Sequence, residues 1–151
     1  SLLLALSASS WAEERFILSD DGYTVIDMKT GFMWAGTDSR SDLTWQAAIA
    51  YCKNYSTGGF TDWKMPGDAE LMSIYDGSIK DNKGYGVTRL ITLSSCYVWE
   101  YDNSGLTAGK FNFCTGVRAW DSKETDYGVR VLPMRILTEP ERQKLQKPKV
   151  K

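Results

Sequence analysis

The chain contains no histidine. Imidazole is the commonest general base near neutral pH and a favoured metal ligand. Hydrolases built on Ser-His or Cys-His pairs are therefore excluded, as are zinc sites that use His. A basic surplus is missing as well: 18 Lys and Arg stand against 19 Asp and Glu, a formal net charge of −1, whereas a nucleic-acid binder is normally basic. No stable membrane span is expected, since the apolar run Leu2 to Leu6 is too short to cross a bilayer. Cysteine is scarce and odd in number, with Cys52, Cys96 and Cys114, so at least one is unpaired or pairs between molecules.

The remainder has the balance of an ordinary folded protein. The 151 residues, 42% hydrophobic and 25% charged, suit one domain with one real core. Six Trp and eight Tyr are many for this length. Their rings either fill a small β-rich core or form a half-buried binding face. At the N-terminus, the Leu2–Leu6 run is followed by Ser10-Trp11-Ala12, small residues at −3 and −1 of a cleavage site. This is the pattern of a secretory leader. We therefore expect residues 1–12 to be a signal-peptide remnant, with the mature chain starting near Glu13 and a destination in the periplasm, at the outer surface or outside the cell. No Cys closes the leader, so a lipoprotein anchor is not expected. Export makes a disulfide admissible. Cys96 and Cys114 flank a hairpin and are the favoured pair, while pairing of Cys52 with either stays open.

Periodicity places the elements. Tyr23 to Asp27 and Phe32 to Ala35 read as a hairpin around Met28-Lys29-Thr30-Gly31. Trp45, Ala48, Ile49 and Cys52 fall on one helical face behind Thr44 as N-cap, and Gly58-Gly59 follow its end. A second helix starts near Gly67 or Asp68, with Glu70 at the capping-box position and Leu71, Ile74 and Tyr75 buried. Ser78 to Arg89 reads as a long loop and Leu90 to Leu93 as a short strand. Cys96 to Tyr101 and Lys110 to Cys114 are paired strands about the turn Asp102–Gly105. Val117 to Trp120 extends that sheet, and Gly128 to Leu132 is a last strand ended by Pro133. The order implies an α+β domain over residues 13–136, two helices packed on a small twisted antiparallel sheet with long loops. Residues 137–151 are expected to be a basic, mobile tail containing Arg142, Lys144, Lys147, Lys149 and Lys151, with a short helix at Glu139 to Gln146.

Four stretches together resemble one bacterial family. Asp27-x-x-Thr30-Gly31-Phe32-Met33-Trp34 is similar to its D-x-x-T-G-L-M-W hairpin, and Thr44-Trp45 through Ala48-Ile49 to Tyr51-Cys52 to its T-W-x-x-A-I-x-Y-C helix. Gly58 to Pro66 is similar to G-G-Y-S-D-W-R-L-P, with Glu70-Leu71 completing the next motif, and Tyr127-Gly128-Val129-Arg130-Val131 to the closing Y-x-V-R-C-V-R. On these residues the chain is identified as resembling the C-terminal domain of the Legionella collagen-like protein, over about residues 16 to 135. The resemblance implies a C-type-lectin-like fold, related to that of formylglycine-generating enzymes, and an exported or surface setting. It also implies glycan binding, since the founding adhesin is associated with sulfated glycosaminoglycans. The chain departs from the family where Val131 replaces the closing Cys, which leaves Cys52 without its expected partner and makes Cys96–Cys114 a local replacement crosslink.

The residues suggest three chemistries. Copper-oxidase chemistry through Cys96 and Cys114 has no recognisable catalytic segment behind it. Calcium at Glu100, Asp102 and Asn103 falls short of the six to eight oxygens that ion takes, and Asp102–Gly105 is more simply a turn. That leaves metal-free binding with no cofactor. Tyr97, Trp99, Tyr101 and Trp120 are the candidate stacking rings, and Lys110 and Arg118, with Lys123 nearby, would pair with sulfate or carboxylate groups. The expected function is a non-catalytic module for a glycan or an envelope or surface protein. The alternative is a structural or accessory subunit of an envelope assembly.

Overall fold

The computed structural model describes residues 14–146. The proposed leader and Lys147, Lys149 and Lys151 lie outside the described residues. Among the described residues, seven strands form two antiparallel sheets. The first has the order β1-β2-β3-β7, from Phe16–Leu18, Thr24–Asp27, Phe32–Ala35 and Met134–Ile136; the second is β4-β5-β6, from Tyr97–Trp99, Thr107–Asn112 and Arg118–Ser122. Helices α1 (Trp45–Asn54), α2 (Asp68–Ile74) and α3 (Glu139–Gln146) complete the α+β architecture. The expected single sheet is thus two.

The β2–β3 hairpin forms where its turn chemistry demands. Asp27 pairs with Phe32, and Gly31 takes φ 76°, a left-handed value open to glycine without cost. The buried Asp27 carboxylate accepts from the Lys29 N–H at 3.0 Å and the Thr30 hydroxyl at 2.8 Å, both within the turn. Arg15 grips it from outside at 2.8 and 2.7 Å. Burial alone would raise the pKa of Asp27; the hydrogen bonds from Arg15, Thr30 and Lys29 outweigh it and hold the carboxyl below its usual range. Thr44 caps α1, its hydroxyl accepting from the Ala47 N–H at 3.1 Å. At α2 the cap residue Gly67 has no side-chain oxygen, so only the returning half of a capping box exists, from the Gly67 N–H to Glu70 Oε1 at 3.3 Å.

Strand alternation sends side chains into three cores. Val25 and Trp34 of the first sheet meet Val98 and Phe111 of the second, with Leu71 and Ile74 of α2 closing that central cluster. The opposite face of the second sheet carries Trp99 and Ala108, packed on Trp45, Ala48 and Cys52 of α1. The outer face of the first sheet carries Ile26 and Met33, covered by Trp63, Leu137 and Leu145 of α3. The first sheet and the β4–β5 pair are therefore covered on both faces, while edge strand β6 stays at the surface; this explains why β2 is buried throughout instead of alternating inside and out.

Two expected elements differ. Val129 to Leu132 is extended but is not a strand: it meets β4 only through a Val98–Arg130 bridge. Its other backbone bonds go to the 39–43 loop, from Ser39 N–H to Val131 O and from Leu43 N–H to Val129 O. The strand comes after Pro133, at Met134–Ile136. Leu90 to Leu93 likewise holds only one bridge, Thr37 to Thr92. Cys96 and Cys114 form a disulfide that ties the start of β4 to the residues after β5, and Cys52 is free and buried.

The described part of the expected tail is docked. Thr138 and Glu141 form a reciprocal capping box at the start of α3. Buried Arg135 donates to Asp62 at 2.6 Å and to Glu141 at 2.8 Å, over the Phe60 ring at 3.8 Å. A buried guanidinium must be paired to be tolerated, so Arg135 requires both the 62 loop and α3 in place. The Arg135 hydrogen bonds, working against burial, hold Glu141 at about 2. A carboxyl depressed in the folded state contributes stability above its ordinary pKa and loses it as pH falls towards the lowered one. Between about pH 4.5 and pH 2, the wild-type melting temperature should therefore fall more steeply than that of Glu141→Gln. After solvent screening the difference should be on the order of 1–2 kcal/mol. Parallel acid limbs in thermal unfolding would show that the clamp contributes nothing.

Candidate binding face on the second sheet

The registers of β4, β5 and β6 decide which candidate side chains meet. Val98 lies opposite Phe111, Phe111 opposite Arg118, and Gly109 opposite Trp120; Glu100 continues this face by donating its backbone N–H to the Gly109 carbonyl at 2.9 Å. Trp99 pairs with Lys110 and Tyr97 with Asn112 on the other face. A period of two thus splits the six candidates. Arg118 and Trp120 share one face; Tyr97, Trp99 and Lys110 share the opposite one; Tyr101 lies beyond the end of β4.

The Arg118–Trp120 face is built on a buried acid. Glu100, 2% exposed, accepts from Arg118 Nε at 2.8 Å and from Nη2 at 2.6 Å. The hydrogen bonds to Glu100 come first among the causes that raise the Arg118 pKa, ahead of the charges of Glu100 and Asp68. Nη1 stands 3.6 Å from the Asp68 carboxylate at the start of α2. The guanidinium lies 4.8 Å from the centre of the Trp120 ring, a cation–π distance. Trp120 itself is 59% exposed. Gly109 makes the arrangement possible, because a Cβ at that position would collide with the Glu100 carboxylate. The result is an open aromatic face, held by a fixed guanidinium and flanked by a carboxylate able to accept from hydroxyl groups.

The other candidates are placed differently. Trp99 is 0% exposed, and its indole N–H donates to the Leu43 carbonyl at 2.7 Å; its place on a ligand face is corrected to the core, because its side of β4 packs on α1. Lys110 lies over Tyr97 at 4.4 Å and pairs with Asp121 at 3.0 Å. Lys123 lies over Trp45 at 4.1 Å and donates to the Asp102 carbonyl at 2.7 Å. Tyr101, half exposed, stacks on Trp45 at 5.9 Å between ring centres. Each cation expected to meet a sulfate already has a partner within the domain. Glu100 is engaged by Arg118, and Asp102 Oδ1 accepts from the Ser104 N–H and hydroxyl within the turn.

Against known families, the Lcl C-terminal domain is matched over residues 23–133. The chain belongs to this family. The matched stretch runs from the β2–β3 hairpin to Pro133 and takes in both Lcl helices α1 and α2 and the whole second sheet, while β7 and α3 follow it. The family is that of the surface-associated Legionella collagen-like protein, a setting with which the Cys96–Cys114 disulfide is compatible. No curated protein matches the chain.

Sequence reasoning missed Asp68 and Gly109 as parts of this face, and considered Glu100 only as a calcium ligand. A signal for Gly109 was present, since glycine inside a strand marks a close approach. Which group approaches was not legible, because the strand register is a tertiary property. Two substitutions separate core from face. Trp99→Ala should cost about 3–5 kcal/mol in urea unfolding, and Trp120→Ala less than about 1 kcal/mol; equal losses would place both rings in the core.

Proposed function

We propose that the domain is an exported, non-catalytic binding module whose ligand is a surface-presented glycan, taken on the Trp120 face. One observation carries the reading: a large ring is kept open to solvent on a rigid sheet, with its orientation set by a guanidinium anchored on a buried carboxylate. Sugar rings present flat C–H faces to aromatic rings and a rim of hydroxyls to carboxylate and guanidinium groups. Around Trp120 one cation stands between two carboxylates, so the face favours hydroxyl-rich, uncharged sugar over sulfate. On the same reading the fold is C-type-lectin-like, supported by two small antiparallel sheets, the α1 and α2 pair and long connections.

The non-catalytic reading is supported by the direction in which the ionisable groups are shifted. General acid–base chemistry needs a pKa brought near neutrality. Here hydrogen bonds and ion pairs push Asp27, Asp62 and Asp121 further down, and burial pushes the Cys52 thiol up to about 12. These shifts stabilise structure and move none of these four groups towards neutrality.

A glycan array at physiological salt tests the proposal. The wild-type domain should bind a set of neutral oligosaccharides, with Trp120→Ala losing at least about tenfold in affinity while its thermal unfolding stays unchanged. Because binding rests on stacking, raising the salt tenfold should change affinity by less than about threefold. A blank array, or hits confined to sulfated glycans with steep salt dependence and no Trp120 effect, would refute this reading. A blank array joined to capture of a single envelope protein would favour the accessory-subunit reading.

A further inference from the structure

Between α1 and the 63–67 segment lies an open cavity of about 360 Å³, within the range of small-molecule sites. Its walls are apolar: Ile49 on α1, Met65 and Trp63 on the extended segment, and Tyr101 at the side. Ile49 is the member of the α1 apolar face that stays only partly buried, unlike Trp45, Ala48 and Cys52.

Polar groups at this cavity are under-used. Lys53, in the last turn of α1, and Lys64 both line it. Lys53 makes no ion pair among the described residues, and Lys64 has only Glu70 at 3.9 Å, the outer limit of contact. Glu70 Oε1 caps α2, while Oε2 is buried without a hydrogen bond, the Lys64 ammonium standing 3.9 Å from it. An unsatisfied buried carboxylate oxygen is costly, and a donor brought by a ligand would relieve it. These lysines contrast with Lys110, Arg118 and Lys123, all of which are engaged within the domain.

We propose that this cavity binds a small amphipathic carboxylate of the aromatic hydroxy-acid class. Its ring would sit on Ile49, Met65 and Trp63. Its carboxylate would meet Lys53 and Lys64, and its hydroxyl would donate towards Glu70 Oε2. Each part of the ligand answers one feature of the cavity: apolar walls, two exposed ammonium groups without a close internal partner, and one buried acceptor without a hydrogen bond. The site is separate from the Trp120 face and does not depend on the glycan reading.

The probe is 4-hydroxyphenylacetate, titrated into the wild-type domain while the Trp63 indole and Ile49 methyl resonances are followed by NMR. Saturable shifts at both are expected. The uncharged analogue 2-(4-hydroxyphenyl)ethanol should bind about tenfold more weakly for want of the ion pairs, and phenylacetate more weakly for want of the donor. Lys53→Gln with Lys64→Gln, both surface changes, should weaken the acid about tenfold and leave the alcohol unchanged. Ile49→Trp should abolish binding by filling the cavity, and Trp120→Ala should leave it intact. No saturation by 4-hydroxyphenylacetate, equal affinity for the acid and the alcohol, or full affinity in the double lysine variant would overturn the proposal. The lysine variant keeps the test decisive if Ile49→Trp fails to fold.

Discussion

Glu100 is a buried carboxylate, and a carboxylate out of water must be paired. The partner is Arg118, two strands away across β5, and only glycine at 109 leaves room for the two groups to meet. Once Arg118 is fixed on Glu100, its remaining edge is aimed at Asp68 on α2 and its plane at Trp120 on β6. The requirement to satisfy one acid therefore links the second sheet to α2 and positions the exposed ring. Removing Arg118 would leave Glu100 buried and uncompensated, a loss of about 3–5 kcal/mol for such pairs. Stability and the binding face thus rest on the same contact.

A similar logic governs the other end of the domain. Arg135 is buried beneath α3, paired with Asp62 and Glu141 and stacked on Phe60. Arg15 grips Asp27 in the β2–β3 hairpin. In each case an ion pair joins segments distant in the chain, and the intervening core is aromatic and aliphatic. The chain lacks histidine altogether, and hydrogen bonds and ion pairs hold Asp27, Asp62, Asp121 and Glu141 further into the charged state. The architecture is consistent with a module that presents a rigid surface.

Much of this fold was legible in the residues. The β2–β3 hairpin followed from Thr30-Gly31, α1 from Thr44 and the Trp45/Ala48/Cys52 spacing, α2 from Glu70 and Leu71, and the disulfide from Cys96 and Cys114 flanking a hairpin. Those signals are local, and local signals survive in the tertiary structure. The division into two sheets was not legible, because Val129 to Leu132 has strand-like composition yet divides its hydrogen bonds between one bridge to β4 and the 39–43 loop. The docking of α3 was hidden as well: its many charged side chains suggest a solvated tail, whereas Arg135 and Leu145 bind it to the core. At the candidate site, parity already placed Tyr97 and Trp99 on a common side. Which side faced α1 depended on the packing of a helix more than forty residues earlier in the chain.

The central claim is that Trp120, held by Arg118 on Glu100, is the ring that receives a glycan. The most direct test follows the indole N–H resonances while the strongest neutral ligand from the array is titrated in. The Trp120 signal should shift and saturate, while those of the buried Trp34 and Trp99 stay in place. A titration that saturates with Trp120 unmoved would contradict the account.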